Sequence, residues 1–447
     1  MAAFIPRTRL PAPAPLNQSF SLWSVLRQAM GKDLNRISMP ASINQPLSIL
    51  QRAVEDFEYL QLLYDAIDYP AGVNRMAALC GFALSSYASW FARPRKPFAP
   101  TLGETYDWTS PDGRTRVLVE QLVYDPPVAA WHVEGMSPRG EPFVVSGDLA
   151  GVSKFWGQYL EVNFQGAAHL TLPRTNETYS WSKASMHVHG LVSGQIWIDM
   201  VGDVAVRVHA DEAYERRAVA EEAAVAEAEA VAGGGAPQRR RTRLHPLDVK
   251  WRGTGEGGGD ALPLFAFAGF ADDAARQYGF TPFAIALNEL TPEQYRNLPP
   301  TDSRLRPDMR ALEDGDVELA SEMKRRVEGI NRSSAAARKA KDEKYRPAWF
   351  ARSESSGGGV RVNFAEHGAA LWTYAGGYWE QREGGRWDRD ATRGRDVFGL
   401  QRHLTTPTTR KSHAPRRSAD GAPRIEASAE KKRDDDAEDE GEEKNAA

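Results

Sequence analysis

The stretch Val117-Leu-Val-Glu-Gln-Leu-Val-Tyr-Asp-Pro-Pro-Val-Ala-Ala-Trp-His-Val133 decides the fold class. It contains two short runs rich in β-branched and aromatic residues, Val117 to Val123 and Ala129 to Val133, separated by an Asp-Pro-Pro turn. Runs of this kind between turn residues predict antiparallel strands. Phe143 to Val145 and Gln195 to Val201 have the same character, so the middle of the chain is predicted to be an antiparallel all-β region.

Large aromatic residues recur through this predicted β region. Their size suits the filling of a curved sheet or the lining of a cavity. The tryptophans concerned are Trp108, Trp131, Trp156, Trp181 and Trp197.

Four segments outside the strands carry a helical pattern. Phe20 to Met30 repeats apolar residues at helical spacing and is followed by a glycine, which predicts a short amphipathic helix. Pro46 to Ala66 predicts a second amphipathic helix, and Met76 to Ala92 predicts a buried helix that is short for a bilayer span. Asp316 to Lys344 is charged throughout and predicts an exposed or groove-forming helix.

Composition excludes several classes of protein. The 447 residues include 56 Lys plus Arg and 60 Asp plus Glu, a formal net charge of −4, which gives no electrostatic case for a nucleic-acid binder. A single cysteine, Cys80, excludes an intramolecular disulfide framework and a cysteine-based zinc site, and it fits the reducing cytosol. Pro6 interrupts the first apolar run, so no signal peptide is predicted, while the early arginines leave a transit peptide open.

Three segments lack a folding pattern. Residues 1–18 are predicted to be a disordered amino terminus, and residues 401–447 a disordered tail, first basic and then acidic. Residues 210–260 combine an Ala/Glu-rich run, a cluster of arginines and a glycine-rich stretch, which predicts a flexible insertion. The intervening residues 19–400 form the predicted globular domain.

Colinear motifs across residues 19–400 resemble the lipid-binding domain of the oxysterol-binding protein-related family. The resemblance fails over roughly residues 204–262. The motifs are Leu22-Trp-Ser-Val-Leu26, Gly31-Lys-Asp-Leu34, Ile37-Ser-Met-Pro40, Pro46-Leu-Ser-Ile-Leu-Gln-Arg52, Lys96-Pro-Phe-Ala-Pro-Thr-Leu-Gly-Glu-Thr-Tyr106, Lys154-Phe-Trp-Gly157, Ser193-Gly-Gln-Ile-Trp-Ile198, Leu298-Pro-Pro-Thr-Asp-Ser-Arg-Leu-Arg-Pro-Asp308 and Gly376-Gly-Tyr-Trp379.

The resemblance implies a mainly β fold with flanking helices: a large incomplete antiparallel β-barrel around a lipid tunnel, an amino-terminal helical lid and a carboxy-terminal helical subdomain. It implies a non-enzymatic function, in which a sterol or phospholipid is extracted from one membrane and delivered to another. Many family members exchange that lipid for phosphatidylinositol 4-phosphate. Because residues 204–262 depart from the pattern, the barrel is expected to be shorter and more open, or the segment reflects an irregular gene product.

The helix of residues 20–30 is the expected lid. Shielding a lipid from water requires an apolar cover, since exposed hydrocarbon costs about 25 cal/mol per Å². The residues expected to face the tunnel are Leu22, Trp23, Leu26 and Met30. If the lid opens, its apolar face is suited to contact a bilayer.

The family's phosphoinositide pocket resembles four positions of this chain. They are Lys96 in the Lys-Pro-Phe motif and Lys324, Glu328 and Arg332 in the late helix. The spacing of four and four places the last three on one helix face. Without the resemblance, the same spacing is typical of a solvated salt-bridge ladder.

The chain departs from the family at Glu120-Gln-Leu-Val-Tyr-Asp-Pro-Pro127. The family pattern is Glu-Gln-Val-Ser-His-His-Pro-Pro, and Tyr124 and Asp125 replace the histidines that contact the inositol phosphate. An ionised Asp125 about 4 Å from a phosphate charge would oppose binding by about 4 kcal/mol at an effective dielectric constant of 20. Weakened phosphatidylinositol 4-phosphate binding is therefore predicted, unless Asp125 pairs with Lys96 or Arg332. Ala99 also replaces the asparagine usual in the family.

Other sites are weaker candidates. His187 and His189 share a strand face, as in some metal sites, but lack a nearby carboxylate or cysteine in the sequence. Glu104 and Glu120 could be imagined as glycosidase carboxylates, yet both lie in family motifs. The sequence has no phosphate-binding loop, nucleophile elbow or zinc-protease helix motif. No enzyme activity, cofactor or metal is expected.

The sequence thus predicts a cytoplasmic lipid carrier that binds membranes peripherally, with endoplasmic reticulum contact sites as one candidate location. Its expected partners are a sterol or phospholipid, phosphatidylinositol 4-phosphate and a membrane surface, and no nucleic acid. The alternative function is a degenerate lipid sensor or protein-interaction module that does not transfer lipid.

Overall fold

The protein contains a ten-stranded antiparallel sheet flanked by helices. In the computed structural model the described residues are 6–15, 39–90, 93, 95–191, 196–209, 216, 219–220, 251–252, 273–352, 372–385, 387 and 397–399. The strands of the large sheet are β3 (Thr105–Thr109), β4 (Thr115–Tyr124), β5 (Pro127–Met136), β6 (Pro142–Phe155), β7 (Leu160–Gln165), β8 (Ala168–Leu172), β9 (Glu177–Trp181), β10 (Ser185–His189), β11 (Trp197–Val201) and β13 (Val206–His209).

The sheet divides at β6, which has 14 residues. The carboxy-terminal half of β6 pairs with β7 and leads through β10 to β11, whereas its amino-terminal half pairs with β8 and leads through β9 to β13. On the other side of β6, the order is β5, β4, β3. Within the described residues the sheet does not close on itself, and the predicted antiparallel, incompletely closed β architecture is confirmed.

Short strands and helices complete the fold. The small strands are β1 (Asn44–Ser48), β2 (Lys96–Phe98), β12 (Asp203–Val204), β14 (Trp251–Arg252), β15 (Phe350–Arg352) and β16 (Trp372–Tyr374). The helices are α1 (Ile49–Val54), α2 (Leu60–Asp68), α3 (Val73–Ser85), α4 (Pro282–Leu287), α5 (Pro292–Asn297), α6 (Pro307–Glu313), α7 (Val317–Ala340) and α8 (Tyr378–Gly384), with 3₁₀ turns at Ala41–Ile43, Glu55–Phe57, Ala274–Gln277 and Ser303–Leu305.

The helix predicted over Pro46 to Ala66 is wrong in its bounds. Its first residues belong to β1, and α1 begins after Ser48, whose hydroxyl accepts from the Gln51 N–H while the Gln51 side chain accepts from the Ser48 N–H. This capping box satisfies two backbone donors that would otherwise lack partners and fixes the start of the helix. A 3₁₀ turn then separates α1 from α2.

Helices α3 and α7 overlap two other segments predicted to be helical. The helix predicted over Met76 to Ala92 is wrong in its bounds, because α3 spans Val73–Ser85 and residues 86–90 form turns. Helix α7 begins at the Asp316 cap, whose side chain accepts from the Leu319 N–H at 2.9 Å. None of the described helices has the length and apolar character needed to cross a membrane. Trp251–Arg252, inside the predicted insertion, pairs with Asp203–Val204.

Helices α1–α3 pack against one face of the large sheet. Aromatic rings make the contact: Phe82 of α3 lies 6.0 Å from Trp181 of β9, and Tyr64 of α2 lies 6.1 Å from Phe143 of β6. Trp131 is also buried here. Of the tryptophans expected to fill a curved sheet or line a cavity, Trp156 and Trp197 are instead 50% and 51% exposed. Trp156 lies just after the end of β6, where its indole N–H donates to Glu161 Oε2 at 2.6 Å, and Trp197 is the first residue of β11.

Candidate functional site

The carboxylate of Glu328 joins the three predicted residues of α7 into one ladder. Lys324 Nζ lies 3.0 Å from Glu328 Oε1, and Arg332 Nη1 lies 3.8 Å from Glu328 Oε2. Lys324 is buried and also donates to the Met39 carbonyl, whereas the Arg332 side chain is 59% exposed. The ladder therefore presents one anchored cation and one accessible cation.

Packing holds α7 against the segment that precedes β1. The Ala41 N–H donates to Ser321 Oγ at 3.2 Å, and Ala41 shares a small apolar cluster with Ala320 and Phe98. Phe98 is the last residue of β2, the strand that begins with Lys96. The apolar cluster thus ties the strand that carries Lys96 to the helix that carries the ladder.

Lys96 lies at the exposed start of β2. The Asn44 side-chain amide donates to the carbonyls of Lys96 and Pro97 at 3.0 and 3.2 Å, and β1 pairs in parallel with β2 at this point. These contacts fix the backbone at Lys96, and the residue as a whole is exposed. The Ala99 carbonyl accepts from Arg306 at 2.9 Å, so the backbone at this departure from the family pattern has a structural partner.

Tyr124 is the last residue of β4, and Asp125 begins the tight turn that joins β4 to β5. Tyr124 is opposite Pro127 in the strand register, the Asp125–Pro126 peptide is cis, and both side chains are exposed. Gln121 Nε2 donates to the Val123 carbonyl at 2.7 Å and supports the end of β4. Asp125 thus places a carboxylate at an accessible turn, and its predicted pairing with Lys96 or Arg332 stays a prediction.

The lid residues Leu22, Trp23, Leu26 and Met30 lie outside the described residues. The predicted disordered tail, residues 401–447, also lies outside them, as does most of the predicted insertion.

The two glutamates considered as catalytic carboxylates have structural partners. Glu120 is buried and accepts from the backbone N–H groups of Ala348 and Trp349 at 2.8 and 3.0 Å. Glu104 accepts from Ser303 at 2.6 Å and from Arg306 at 2.8 Å. Each therefore fastens a later segment of the chain to the sheet.

Sequence reasoning missed the buried charge network around residues 302–308. Arg306 binds Asp308 through two hydrogen bonds of 3.0 and 2.7 Å in addition to its bond to Glu104. Burial opposes the charge on this guanidinium, but the Asp308 and Glu104 carboxylates outweigh it and raise the pKa of Arg306. The alternation of acids and arginines in Asp302-Ser-Arg-Leu-Arg-Pro-Asp308 is the signal that could have indicated such a network.

A second network lies beside the first. Arg304 makes two bonds of 2.8 Å to the Asp302 carboxylate and also pairs with Asp107 of β3. Arg382 of α8 binds the other oxygen of Asp107 at 2.7 Å. Strand β3, the 302–308 segment and α8 are therefore held together by buried ion pairs.

His187 and His189 form part of an aromatic cluster on the sheet. Their rings lie 4.6 and 5.4 Å from the Tyr159 ring, and His189 stacks on Trp197 at 4.0 Å. In the part of the chain that is described, no group of three or more His, Cys, Asp or Glu residues could hold a metal ion.

Two small pockets adjoin each other beside Asp56 and the rings of Trp131 and Trp181, which line both of them. One, of about 10 Å³, is lined by rings that include Phe57, Phe82 and Trp131. The other, of about 20 Å³, contacts Asp148 and Lys183. A space of this size holds about one water molecule. These two pockets, both lined by described residues, are too small to hold a whole lipid.

A family model described as oxysterol-binding protein matches residues 21–383, which is most of the chain. The chain belongs to the oxysterol-binding protein family. Human oxysterol-binding protein-related protein 7 is 37% identical over 361 residues, covering 79% of this chain and 42% of that protein. The chain spans about 40% of the length of the first curated relatives that it matches.

Solved structures of the family share the fold. The Osh3 domain from Saccharomyces cerevisiae in complex with PI(4)P has a TM-score of 0.64 and 27% identity, covering 86% of this chain and 98% of that chain. The Osh1 domain in complex with ergosterol has a TM-score of 0.68 and 29% identity, covering 87% of this chain and 94% of that chain. The resemblance identified from the sequence motifs is thereby confirmed.

Proposed function

We propose that this chain binds a single lipid, a sterol or a phospholipid, and carries it between membranes without catalysing a reaction. The observation that carries the proposal is the match to the Osh1 domain over 94% of that chain, in a structure that contains ergosterol. The Osh3 match, in a structure that contains PI(4)P, extends the candidates to a phosphoinositide. Binding would be peripheral to the membrane.

The headgroup site of this carrier would consist of Lys96, Lys324 and Arg332, with Glu328 as the orienting carboxylate. Lys96 and Arg332 are exposed and could meet a phosphate, and Lys324 is anchored on the same helix as Arg332. Asp125, with Tyr124, occupies the turn where the family has histidines, and its negative charge would oppose a phosphate. We therefore propose that phosphoinositide exchange is weakened relative to sterol transfer.

A two-vesicle transfer assay tests the proposal. Donor vesicles of phosphatidylcholine carrying a fluorescent sterol are mixed with unlabelled acceptors, and transfer is followed at protein concentrations far below that of the sterol. We expect many sterol molecules moved per protein molecule and a one-to-one lipid adduct in native mass spectrometry. The proposal would be contradicted if the protein moved no sterol between vesicles and formed no adduct with any lipid.

A second candidate function is a lipid sensor or protein-interaction module that does not transfer lipid. The small size of the two pockets favours the protein-interaction role, because each pocket has room for about one water. The same assay separates the two functions. A sensor would bind vesicles or retain a lipid without moving more than one lipid per protein.

A further inference from the structure

The proline-rich segment of residues 6–15, part of the amino terminus predicted to be disordered, docks onto the surface formed by residues 273–289 and α6. It contains no helix or strand. Three of its backbone N–H groups donate to that surface: Arg7 to Glu289 Oε2 at 2.9 Å, Leu10 to the Gln277 side chain at 2.8 Å and Ala14 to the Arg276 carbonyl at 2.7 Å. Peptides are recognised in this way, with main-chain hydrogen bonds for affinity and side-chain pockets for specificity.

Arg7 is the polar anchor of the segment. Its guanidinium pairs with Glu313 at the end of α6 and donates to the Ile285 carbonyl at 2.9 Å, and its side chain is 17% exposed. The Ile285 carbonyl lies in the last turn of α4, where backbone carbonyls lack a partner within the helix. A guanidinium directs several N–H groups to separate acceptors in a fixed geometry, which a lysine ammonium does not. The position therefore selects arginine.

Leu10 is the apolar anchor, three residues further along the segment. It is only 7% exposed and belongs to the main apolar cluster, as does Ala14. Between the two anchors, Thr8 is exposed, and the Arg9 side chain is 74% exposed with an ion pair of 3.4 Å to Asp273. Recognition thus depends on an arginine and a leucine three positions apart and tolerates other residues between them.

The docking surface keeps its charges balanced when the segment leaves. Glu313 is almost completely buried, but Arg310 of the same helix lies 2.8 Å from it and remains as its cation. Glu289 and Asp273 are half-buried, so water can solvate them. Because no buried charge is left alone, release avoids the large penalty of a broken buried ion pair. The segment can therefore detach while the helices beneath it stay folded.

We propose that Gln277, Ile285, Glu289 and Glu313 form a peptide-recognition groove for proline-rich segments that carry an arginine three residues before a leucine. Residues 6–15 fill this groove in the chain itself, and a segment of the same pattern in another protein can take their place. The partner is thus a protein with a basic, proline-rich stretch, which the carboxylates of the groove attract. The inference goes beyond lipid transfer, and no residue of the groove belongs to the proposed headgroup site.

Peptide binding to an emptied groove tests the proposal. In the full chain, Arg7→Ser together with Leu10→Ser removes both anchors, and circular dichroism checks that the variant folds. A fluorescein-labelled peptide of residues 6–15 is titrated with the protein, and its anisotropy is followed. We expect the peptide to bind this variant at least about tenfold more tightly than the unmodified chain, in which the attached segment competes at an effective concentration of about a millimolar.

Altered peptides locate the recognition. Arg7→Gln or Leu10→Ser in the peptide should weaken binding about tenfold or more, because a few anchors carry most of the affinity of such contacts. Thr8→Ala is the matched control and should leave binding unchanged, since Thr8 is exposed. A peptide that keeps only Arg7, Leu10 and the prolines, with serine elsewhere, represents a segment of another protein. It should bind within about threefold of the original peptide.

Three results would overturn the proposal. They are no peptide binding by the folded double variant, equal binding of the Arg7→Gln peptide, and loss of binding by the serine-substituted peptide. The last result would mean that the groove accepts only this chain's own sequence. None of these measurements involves lipid, so their failure leaves the proposed function untouched.

Hydrogen exchange on the unmodified chain decides the matter if the double variant does not fold. The amides of Leu10 and Ala14 should exchange at least about tenfold faster than those in the middle of β5, because an exchangeable segment detaches by local opening. Equal protection of the segment and β5 would mean that the segment leaves only when the whole protein unfolds, and the proposal would fail.

Discussion

Two clusters of charged residues carry family motifs, and they differ in burial. The cluster of Glu104, Arg306 and Asp308 is almost completely excluded from solvent, and Arg306 bonds to both carboxylates and to the Ala99 carbonyl. The ladder on α7 has the same kinds of side chain, but its last member, Arg332, is mostly exposed and 3.8 Å from its partner. The same kinds of charged side chain are therefore buried and fully paired in one cluster and partly exposed in the other.

The difference shows which motif residues remain able to bind a ligand. A buried guanidinium that already donates its hydrogen bonds to groups of the same protein cannot contact a phosphate unless the structure around it unfolds. An exposed cation on a fixed helix can do so at small cost, because exposed ion pairs contribute only about 0–1 kcal/mol. The buried cluster thus fastens the 302–308 segment to the residue that precedes β3, whereas the ladder ends in an exposed cation, which is why we propose it as the part that recognises a phosphate.

The substitution Arg306→Met should have the largest effect. It would leave the Glu104 and Asp308 carboxylates buried without their cation, which typically costs about 3–5 kcal/mol. Urea unfolding followed by circular dichroism measures the free energy of unfolding. A loss below 1 kcal/mol would show that the buried cluster does not hold the fold.

A buried carboxylate whose pKa is raised by its burial sharpens the comparison. Burial raises the pKa of Asp148 to about 6, from 3.8 for the free side chain. Because the pKa of this carboxyl is raised in the folded state, the contribution of Asp148 to the free energy of unfolding is fully present below pH 4. That contribution is lost as the pH rises through 6. A shift of this size corresponds to about 3 kcal/mol.

The variant Asp148→Asn should therefore be more stable than the unmodified protein at pH 7 by up to about 3 kcal/mol, with the gap closing near pH 4. Unfolding curves for both proteins between pH 4 and 7 provide the measurement. A gap that is constant with pH would mean that Asp148 titrates as it does in the unfolded chain. Asp65→Asn, at an exposed position on α2, is measured alongside as the control substitution.

The sequence predicted the strands well because their alternation and turn residues are local properties. Val117 to Val123 and Ala129 to Val133 fall within β4 and β5, joined at the predicted Asp-Pro-Pro turn. The split of the Pro46 to Ala66 segment was missed, although Ser48 and Gln51 form a capping box that is visible in the sequence. The apolar periodicity that begins before Ser48 masked this local start signal.

The site was predictable only in part. Helical spacing placed Lys324, Glu328 and Arg332 together, and the structure brings them into one ladder. The pairing of Asp56 with Lys183 joins residues 127 positions apart, and no spacing rule relates such residues. Which carboxylates are buried depends on tertiary packing, so the distinct environments of Glu104 and Asp125 could not be read from the motifs alone.

A smaller effect is expected from Asp125→Asn, measured by pelleting with vesicles that contain phosphatidylinositol 4-phosphate. Asp125 is exposed, so water screens its repulsion of a phosphate to about 1 kcal/mol at 4 Å, less than the sequence-based estimate. Affinity should rise about fivefold, and more at low salt. Asp65→Asn is again the control. Tight binding that is insensitive to the Asp125 substitution would contradict the proposed weakening of phosphoinositide exchange.

The smallest effect on stability is expected from Arg332→Met, which alters the exposed end of the ladder. Its ion pair with Glu328 is long and largely solvated, so the free energy of unfolding should change by less than about 1 kcal/mol. Vesicle pelleting should nevertheless show weaker binding to phosphatidylinositol 4-phosphate, because an accessible cation has been removed. A loss of 2 kcal/mol or more in stability would place Arg332 with Arg306 as a structural residue, and the contrast between the two clusters would fail. Unchanged pelleting with unchanged stability would instead make the ladder a solvated helix face and move phosphate recognition elsewhere.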